Sequence, residues 1–448
     1  MNYGSGHSIY FLGIGGIGMS ALARYFQHKG ADIAGYDRIE TRLTRELESE
    51  GMKIHYHEDI HLLPQKIDIA IYTPAIPETH AELLLLQKKN IPLIKRAEAL
   101  GMISKNHFTI AVAGTHGKTT ITSMIAHILY GAGKEICAFI GGIANNFNSN
   151  FVITGCPEFY IIEADEYDKS FLHLRPDIAV ISALDADHLD VYHTRDQMLE
   201  SYAAFATKAA AKGSLVLKAG SQLPVDLPHQ SYGLDANSHV RAEEIVIQDG
   251  LFCFDLAVSN ASVPVKLRVA GRHNIENALA AATACMLCGV SLKQIGDLLS
   301  TYTGVRRRFD IQINKPETVY IDDYAHHPNE LKACILTAKE LFPGKEITGI
   351  FQPHLYSRTR DFMQEFADSL SSLDQLILLD IYPAREQAIE GISSERLLEK
   401  VAINKKMMAH KHELIPLLET LKPKILLSMG AGDIDQLVEP IKNLLQSW

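Results

Sequence analysis

This 448-residue chain has no basic tract: 43 Lys and Arg stand against 53 Asp and Glu, the formal net charge is −10, and no long run of lysine or arginine offsets that balance. Nucleic acid is thereby disfavoured as a main partner, and anionic ligands need local positive sites. Long apolar runs are missing too. The N-terminal stretch HSIYFLGIGGIGMSALARYF is short, broken by glycine and not preceded by a basic region, so it reads as neither a signal peptide nor a membrane span. The expectation is a cytoplasmic protein. There is no cysteine framework, because the six cysteines, at 137, 156, 253, 285, 288 and 334, are scattered through apolar contexts and read as free thiols. Cys285 and Cys288 form a C-x-x-C inside NALAAATACMLCGV, where both sulfurs share a packed helix face and no second Cys/His pair lies nearby to complete a zinc site. Low-complexity segments and short tandem repeats are absent. What remains is 47% hydrophobic, enough for about two to four ordinary domain cores.

Strands alternate with helical patterns along the whole chain, which predicts an α/β protein built on mainly parallel sheets. Three strand-to-turn-to-helix units mark it. Residues 1–105 open with Ile9–Leu12 and the turn Gly13-Ile14-Gly15-Gly16-Ile17-Gly18, followed by a second strand ending at Asp37. Glycines of this kind allow close backbone approach to a pyrophosphate, and an acid after the second strand takes a ribose hydroxyl. Residues 106–305 form the second unit and residues 306–448 the third, whose strands lie in TVYIDDYAHHP, EITGIFQPH, QLILLDIYPA and KILLSMGAGDI.

The sharpest chemical signal opens the second unit. FTIAVAGTHGKTT is an apolar strand, a glycine turn (Gly114, Thr115, His116, Gly117) and a helix that starts with Lys118, Thr119 and Thr120. Backbone N–H groups there can cradle phosphate oxygens, Lys118 can neutralise the β/γ charge and the Thr119 hydroxyl can ligate Mg²⁺. The position five before Gly117 is Val112, so the loop departs from the strict G-x-x-x-x-G-K-T spacing. Glu163, at the end of FYIIEAD, falls at the carboxyl edge of the sheet and completes a Mg²⁺ site with Thr119. Asp165, Glu166 and Asp168 read as a solvated or capping acidic turn. Asp187, His188 and Asp190 share the next strand end, with His188 a structural imidazole, a second-metal ligand or a positioning group.

Further on, Asn274 and Asn277 lie i,i+3 at the start of an Ala-rich helix, either pairing with a base edge or capping the helix. Arg306, Arg307 and Arg308 read as a surface charge run or as a source of phosphate contacts. Asp322, Asp323, His326 and His327 end one strand, and His354, Arg358 and Arg360 follow another; acid, imidazole and guanidinium groups at one sheet edge suit a ribose and an amino acid.

GIGGIGM, GTHGKTT, EADEYDKSFLHL, DADHLDVY, GRHNIEN, RRRFD, DDYAHHPNE, FQPHLYSRTRD and GAGDI, in that order, resemble the Mur ligase family across all three units. The resemblance implies Rossmann-like N- and C-terminal domains around a central P-loop ATPase-type domain. It implies ATP-dependent amide-bond formation in peptidoglycan precursor synthesis, joining L-alanine to the lactyl carboxylate of UDP-N-acetylmuramate by way of an acyl phosphate, with Mg²⁺. Implied ATP contacts are Gly114, Thr115, Gly117, Lys118, Thr119, Thr120, Asn274, Asn277, Arg308 and Asp323, and implied metal ligands are Thr119, Glu163 and His188. Lys118, His188, Arg308 and Asp323 take catalytic roles. UDP-sugar contacts are Gly13, Gly15, Gly16, Gly18, Asp37 and Thr73, and amino-acid contacts are His327, His354, Arg358 and Arg360. Partners are small molecules alone, without nucleic acid or membrane insertion, and the chain acts as a monomer or homodimer. Relatives often carry an arginine where this chain has Leu355, which shifts the alanine carboxylate to Arg358 and Arg360, and ESYAAFA lacks the lysine that some relatives carbamylate. The rival readings are a recycling ligase that adds a tripeptide to the same sugar nucleotide, an NAD-dependent dehydrogenase and a non-catalytic nucleotide sensor.

Overall fold

The computed structural model describes residues 3–448 apart from 186–191, 193, 211–213 and 385, with the backbone alone at 167 and 168. Contacts divide the chain into two compact units. The first runs to Val246 and adds Cys253–Arg268 and His273–Thr303; the second holds Ile247–Phe252, Val269–Arg272 and Gly304–Trp448.

Two sheets carry the first unit. Strands β1 (Ser8–Leu12), β2 (Asp32–Tyr36), β3 (Lys53–His55), β4 (Ile69–Tyr72) and β5 (Leu93–Lys95) form a parallel sheet in the order β3-β2-β1-β4-β5. The order reverses at β1, so the crevice at its carboxyl end, where Gly13–Gly18 lies, is where such sheets receive ligands. The second sheet contains β6 (Thr109–Ala113), β7 (Ile136–Ala144), β8 (Ser149–Ile153), β9 (Phe159–Glu163), β10 (Ile178–Ile181), β11 (Leu215–Lys218), β12 (Gln230–Gly233), β13 (Val240–Gln248), β14 (Leu251–Val258) and β15 (Ala261–Leu267). Within it β6 lies between β9 and β10, parallel to both. Every residue of β6 is buried, which explains its unbroken apolar reading.

One apolar core runs through both of these sheets, from Ile9 and Phe11 to Phe139, Tyr160 and Phe171. Tyr25, on the helix Ile17–His28, meets Phe139 and Phe151 with ring centroids 5.5 and 6.3 Å apart. Asn150 of β8, fully buried, accepts from Arg24 and donates to the Ile17 carbonyl at 2.6 Å, tying the same helix to the second sheet.

The second unit has its own core and a sheet of β16 (Asp310–Lys315), β17 (Thr318–Asp323), β18 (Ile347–Phe351), β19 (Gln375–Leu378), β20 (Lys405–Met408) and β21 (Ile425–Met429), ordered β16-β17-β21-β18-β19-β20. All pairings are parallel except β16 with β17. Strands β3, β16 and β20 and the antiparallel β7–β8 pair escaped the sequence reading. KIH, DIQINK and KKMM are short or alternate with charge, as edge strands do, and carry no apolar run.

Candidate active site

The turn after β6 is bent by its neighbours. Gly114 has φ +130°, and a Cβ there would sit 2.8 Å from the Ala183 nitrogen and 2.9 Å from that of Ser182. No other residue fits this backbone. Thr115 N–H donates to the Ala183 carbonyl at 2.9 Å, and the Ser182 hydroxyl donates to the His116 carbonyl, so the end of β10 fastens the turn. Gly117, at φ +82°, then caps the helix Lys118–Gly131 without any side-chain hydrogen bond, and this helix start presents its N–H groups outward from a glycine.

Two carboxylates face that helix start, Glu166 buried and Glu163 partly so. Lys118 Nζ donates to Glu166 Oε1 and to the Gly114 carbonyl, both at 2.7 Å, while Thr119 Oγ1 donates to Glu163 Oε1 at 3.0 Å. Glu163 Oε2 accepts from Gly141 N–H at 2.7 Å, and Tyr192 OH donates to the Glu166 carbonyl at 2.7 Å. Burial alone would lower the Lys118 ammonium, yet the facing Glu166 carboxylate outweighs it and holds the ammonium above its ordinary value. Burial pushes the Glu163 carboxyl upward, against the pull of Lys118. Thr119 and Glu163 give two adjacent hard oxygens, a donor set that fits Mg²⁺. Glu166, expected in a solvated turn, is instead 1% exposed and paired with the lysine. Thr120 follows on the same helical turn, its carbonyl accepting from Ser123. Asp187, His188 and Asp190 lie outside the described residues.

Asn277 Nδ2 donates to Asn274 Oδ1 at 3.0 Å, and both are buried. A Cβ on Gly117 would run into the Asn277 oxygen, so the asparagine pair borders the phosphate turn. The two amides thus pair with each other in the first turn of the helix Arg272–Leu287, beside the glycine turn.

The first glycine turn is closed by its own surroundings. A Cβ on Gly13 would meet Thr73, on Gly15 Thr44 and Asp37, and on Gly18 Arg96, each within 2.6–2.8 Å. Gly16 has no such neighbour under 3.5 Å. Asp37 accepts from Gly15 N–H at 2.8 Å and from Ile39 N–H at 3.3 Å, which engages both carboxylate oxygens in shaping the turn. Thr73 receives no such role beyond packing on Gly13 and a long bond from Ala75 N–H at 3.5 Å. Between this turn and Glu163 lies a cleft lined by Ile17, Gly18, Arg96, Asp165 and Ser170. Arg96, which no motif singles out, donates to Asp165 Oδ2 at 2.6 Å across it.

In the second unit Arg307 and Arg308 separate. Arg307 is bound to buried Asp322 at 3.0 Å and to the Gly430 carbonyl at 2.6 Å, a structural post. Arg308 is 39% exposed and lies 5.5 Å from the Tyr324 ring centroid. Asp323 accepts from Phe309 N–H at 2.6 Å and Ala325 N–H at 2.7 Å, and burial, against the nearby Arg308 charge, pushes its carboxyl up to about 7. His326, His354 and Arg358 gather: the two rings are 6.2 Å apart, and Arg358 Nη1 is 3.5 Å from His354 Nδ1. Burial lowers His354 to about 4, so it is neutral near pH 7. His327 caps the helix Pro328–Leu341, and Arg360 is 52% exposed and paired with Asp361. Of the four expected amino-acid contacts, His354 and Arg358 are brought together and the other two are drawn to these local tasks.

Comparison with known proteins agrees with this geometry. The descriptions "Mur ligase family, catalytic domain", "Mur ligase middle domain" and "Mur ligase, glutamate ligase domain" match residues 8–108, 112–285 and 307–433. Proteins named UDP-N-acetylmuramate--L-alanine ligase from Christiangramia forsetii and Flavobacterium psychrophilum are 44% and 45% identical, covering 97% and 99% of this chain and the same shares of their own. The crystal structure of a UDP-N-acetylmuramate-alanine ligase from Thermotoga maritima superposes with a TM-score of 0.85 at 28% identity, over 98% of this chain and 99% of that one. A murein peptide ligase from Psychrobacter arcticus shares the fold, with a TM-score of 0.72 at 22% identity over 99% of both chains. With three sheets in this order, a lysine-bearing phosphate turn and near-identity of length with such relatives, the chain belongs to the Mur ligase family and has its three-domain α/β fold.

Proposed function

We propose that the chain joins L-alanine to UDP-N-acetylmuramate while ATP is cleaved to ADP and phosphate, as a cytoplasmic step of peptidoglycan precursor synthesis. The observation that carries this reading is Lys118 and Thr119, presented from one helix start to two carboxylates at the sheet's carboxyl edge. The full-length relatives named for that reaction support the substrate pair. The division into 1–105, 106–305 and 306–448 goes with it, for sugar nucleotide, ATP and amino acid respectively.

A carboxylate is a poor acyl donor, so the lactyl carboxylate oxygen attacks the γ-phosphorus, the bond to ADP breaks and an acyl phosphate forms. The alanine amine then attacks the acyl carbon; the C–N bond forms, phosphate leaves with the C–O electrons and the amine gives up a proton. Lys118 stabilises the charge on the transferring phosphoryl group from a position already fixed by Gly114 and Glu166. Thr119 and Glu163, with His188, would hold Mg²⁺, which supplies further neutralisation of that charge. Asn274 and Asn277 border the nucleotide, Arg308 and Asp323 keep their proposed nucleotide contacts, and the first glycine turn takes the UDP moiety. Asp37, which accepts from the Gly15 and Ile39 N–H groups, keeps acceptor capacity at this turn as a proposed UDP-sugar contact.

For alanine, His354 and Arg358 form the carboxylate site. Arg358→Ala raises the apparent KM for L-alanine about tenfold, the scale of one charge-assisted hydrogen bond, and leaves those for ATP and UDP-N-acetylmuramate nearly unchanged. A selective loss for ATP would move this turn to the nucleotide site. The reaction itself is tested by offering UDP-N-acetylmuramate and ATP with either L-alanine or the tripeptide and measuring phosphate release. Release with L-alanine is expected, and release with tripeptide alone would establish the recycling reaction instead.

A further inference from the structure

Arg96 stands at an unusual place for a positive charge. It opens the helix Arg96–Ser104 directly after β5, and among the described residues lining the cleft it is the only cation. One end of its guanidinium, Nη2, donates to Asp165 at 2.6 Å; the other, Nη1, lies against Gly18, where a Cβ would come within 2.6 Å of it. Gly18 belongs to the first turn of the helix Ile17–His28, whose preceding Gly16 provides no side-chain cap. Asp165 sits between Glu163 and Glu166 in sequence, on the loop whose carboxylates meet Thr119 and Lys118. The Arg96–Asp165 pair is also half open, with side chains 23% and 37% exposed, whereas Lys118–Glu166 is closed at 16% and 1%. An ion pair at that exposure holds weakly and exchanges readily for a better anion.

Resting on the reading that a uridine sugar nucleotide binds at this glycine turn, we propose that Arg96 is a positioning residue that passes from Asp165 to the nucleotide's diphosphate, so that filling the sugar-nucleotide site releases the acidic loop beside the phosphate turn. A guanidinium suits the exchange because its fork fits carboxylate and phosphate alike. The two anions compete for one cation, and the coupling between them is reciprocal. Asp165 therefore weakens sugar-nucleotide binding while it holds the arginine.

Calorimetric titration of UDP and of UDP-N-acetylmuramate into the full chain separates this from a merely structural tie. Arg96→Ala weakens both ligands at least tenfold, and Arg96→Lys, which keeps the charge but loses the fork, falls between it and the parent. Asp165→Asn tightens both ligands several-fold while lowering the ligation rate, and the double variant binds like Arg96→Ala. Unchanged or weaker UDP binding by Asp165→Asn overturns the exchange. So does a loss in Arg96→Ala confined to UDP-N-acetylmuramate, which would place the guanidinium on the lactyl carboxylate. Failure of the parent chain to bind either ligand would instead sink the sugar-nucleotide reading on which the proposal stands.

Discussion

The chain contains two strand-turn-helix units rich in glycine, and their differences explain why one is expected to carry the chemistry and the other to hold a handle. At Gly13–Gly18 the neighbours that forbid a Cβ are Thr73, Thr44, Asp37 and Arg96, all from the N-terminal sheet region, and the following helix offers no lysine or hydroxyl at its first position. At Gly114–Thr119 the forbidding groups are the Ser182 and Ala183 backbone and Asn277, and the helix opens with Lys118 and Thr119 against two acids. Glycine in the first turn serves shape and close approach alone. In the second it also opens a helix whose lysine is already held in place by Gly114 and Glu166, where the proposed reaction needs a phosphoryl group.

The largest effect expected from that contrast is on Lys118. Lys118→Ala lowers ligation by about 10²–10³ or more, the usual cost of one preorganised charge contact in the transition state, with UDP-N-acetylmuramate binding nearly intact. Wild-type turnover would erase the distinction between the turns. Next comes Gly114→Ala, which forces a Cβ against the 182–183 backbone at a φ of +130°; a loss of about 2 kcal/mol or more and of ATP-dependent thermal stabilisation is expected in melting curves with and without ATP. In the first turn the positions grade. Gly15→Ala meets Thr44 and Asp37 and abolishes measurable UDP-N-acetylmuramate binding, whereas Gly16→Ala, with no atom closer than 3.5 Å, changes stability by no more than about 0.5 kcal/mol. Equal losses at both would mean that ligand approach rather than internal packing demands these glycines. In neither protein does NAD bind.

A separate effect is a pH slope. Burial raises the Asp323 carboxyl to about 7, so the folded chain holds a proton there that the unfolded chain has released above its ordinary carboxylate range. Stability from this group is complete at low pH and falls as pH rises toward 7, then levels. Melting temperatures between pH 5 and 8 should show that decline and lose it in Asp323→Asn, which melts lower throughout because its amide nitrogen cannot accept one of the two backbone N–H groups.

The sheets' inner strands and the phosphate turn were legible because each is a local pattern: an unbroken apolar run, a glycine turn, a lysine in the first helical position. Glu166 was not. In EADEYD it looks like any solvated acidic turn, and its burial comes from Lys118 and from Tyr192, which is 26 residues on. Arg96 was hidden for the same reason, since KRAEAL reads as an ordinary charged helix start and its partner is 69 residues away. His327 has a local task that its position also suggests: a histidine before Pro-Asn-Glu caps the helix, and Glu330 accepts from its N–H at 3.2 Å. Arg307 and Arg308 are identical in sequence terms and differ because Arg307 is bound to buried Asp322 while Arg308 stays partly exposed.

The fastening of the nucleotide turn by β10 has a consequence for how the enzyme is made. Every letter of the phosphate motif has been synthesised by Thr120, but the groups that bend it, the Ser182 hydroxyl and the Ala183 carbonyl, are added some sixty residues later, after β7, β8 and β9. A growing chain therefore carries the motif long before it carries the groups that fasten the turn, which arrive with β10 beside β6.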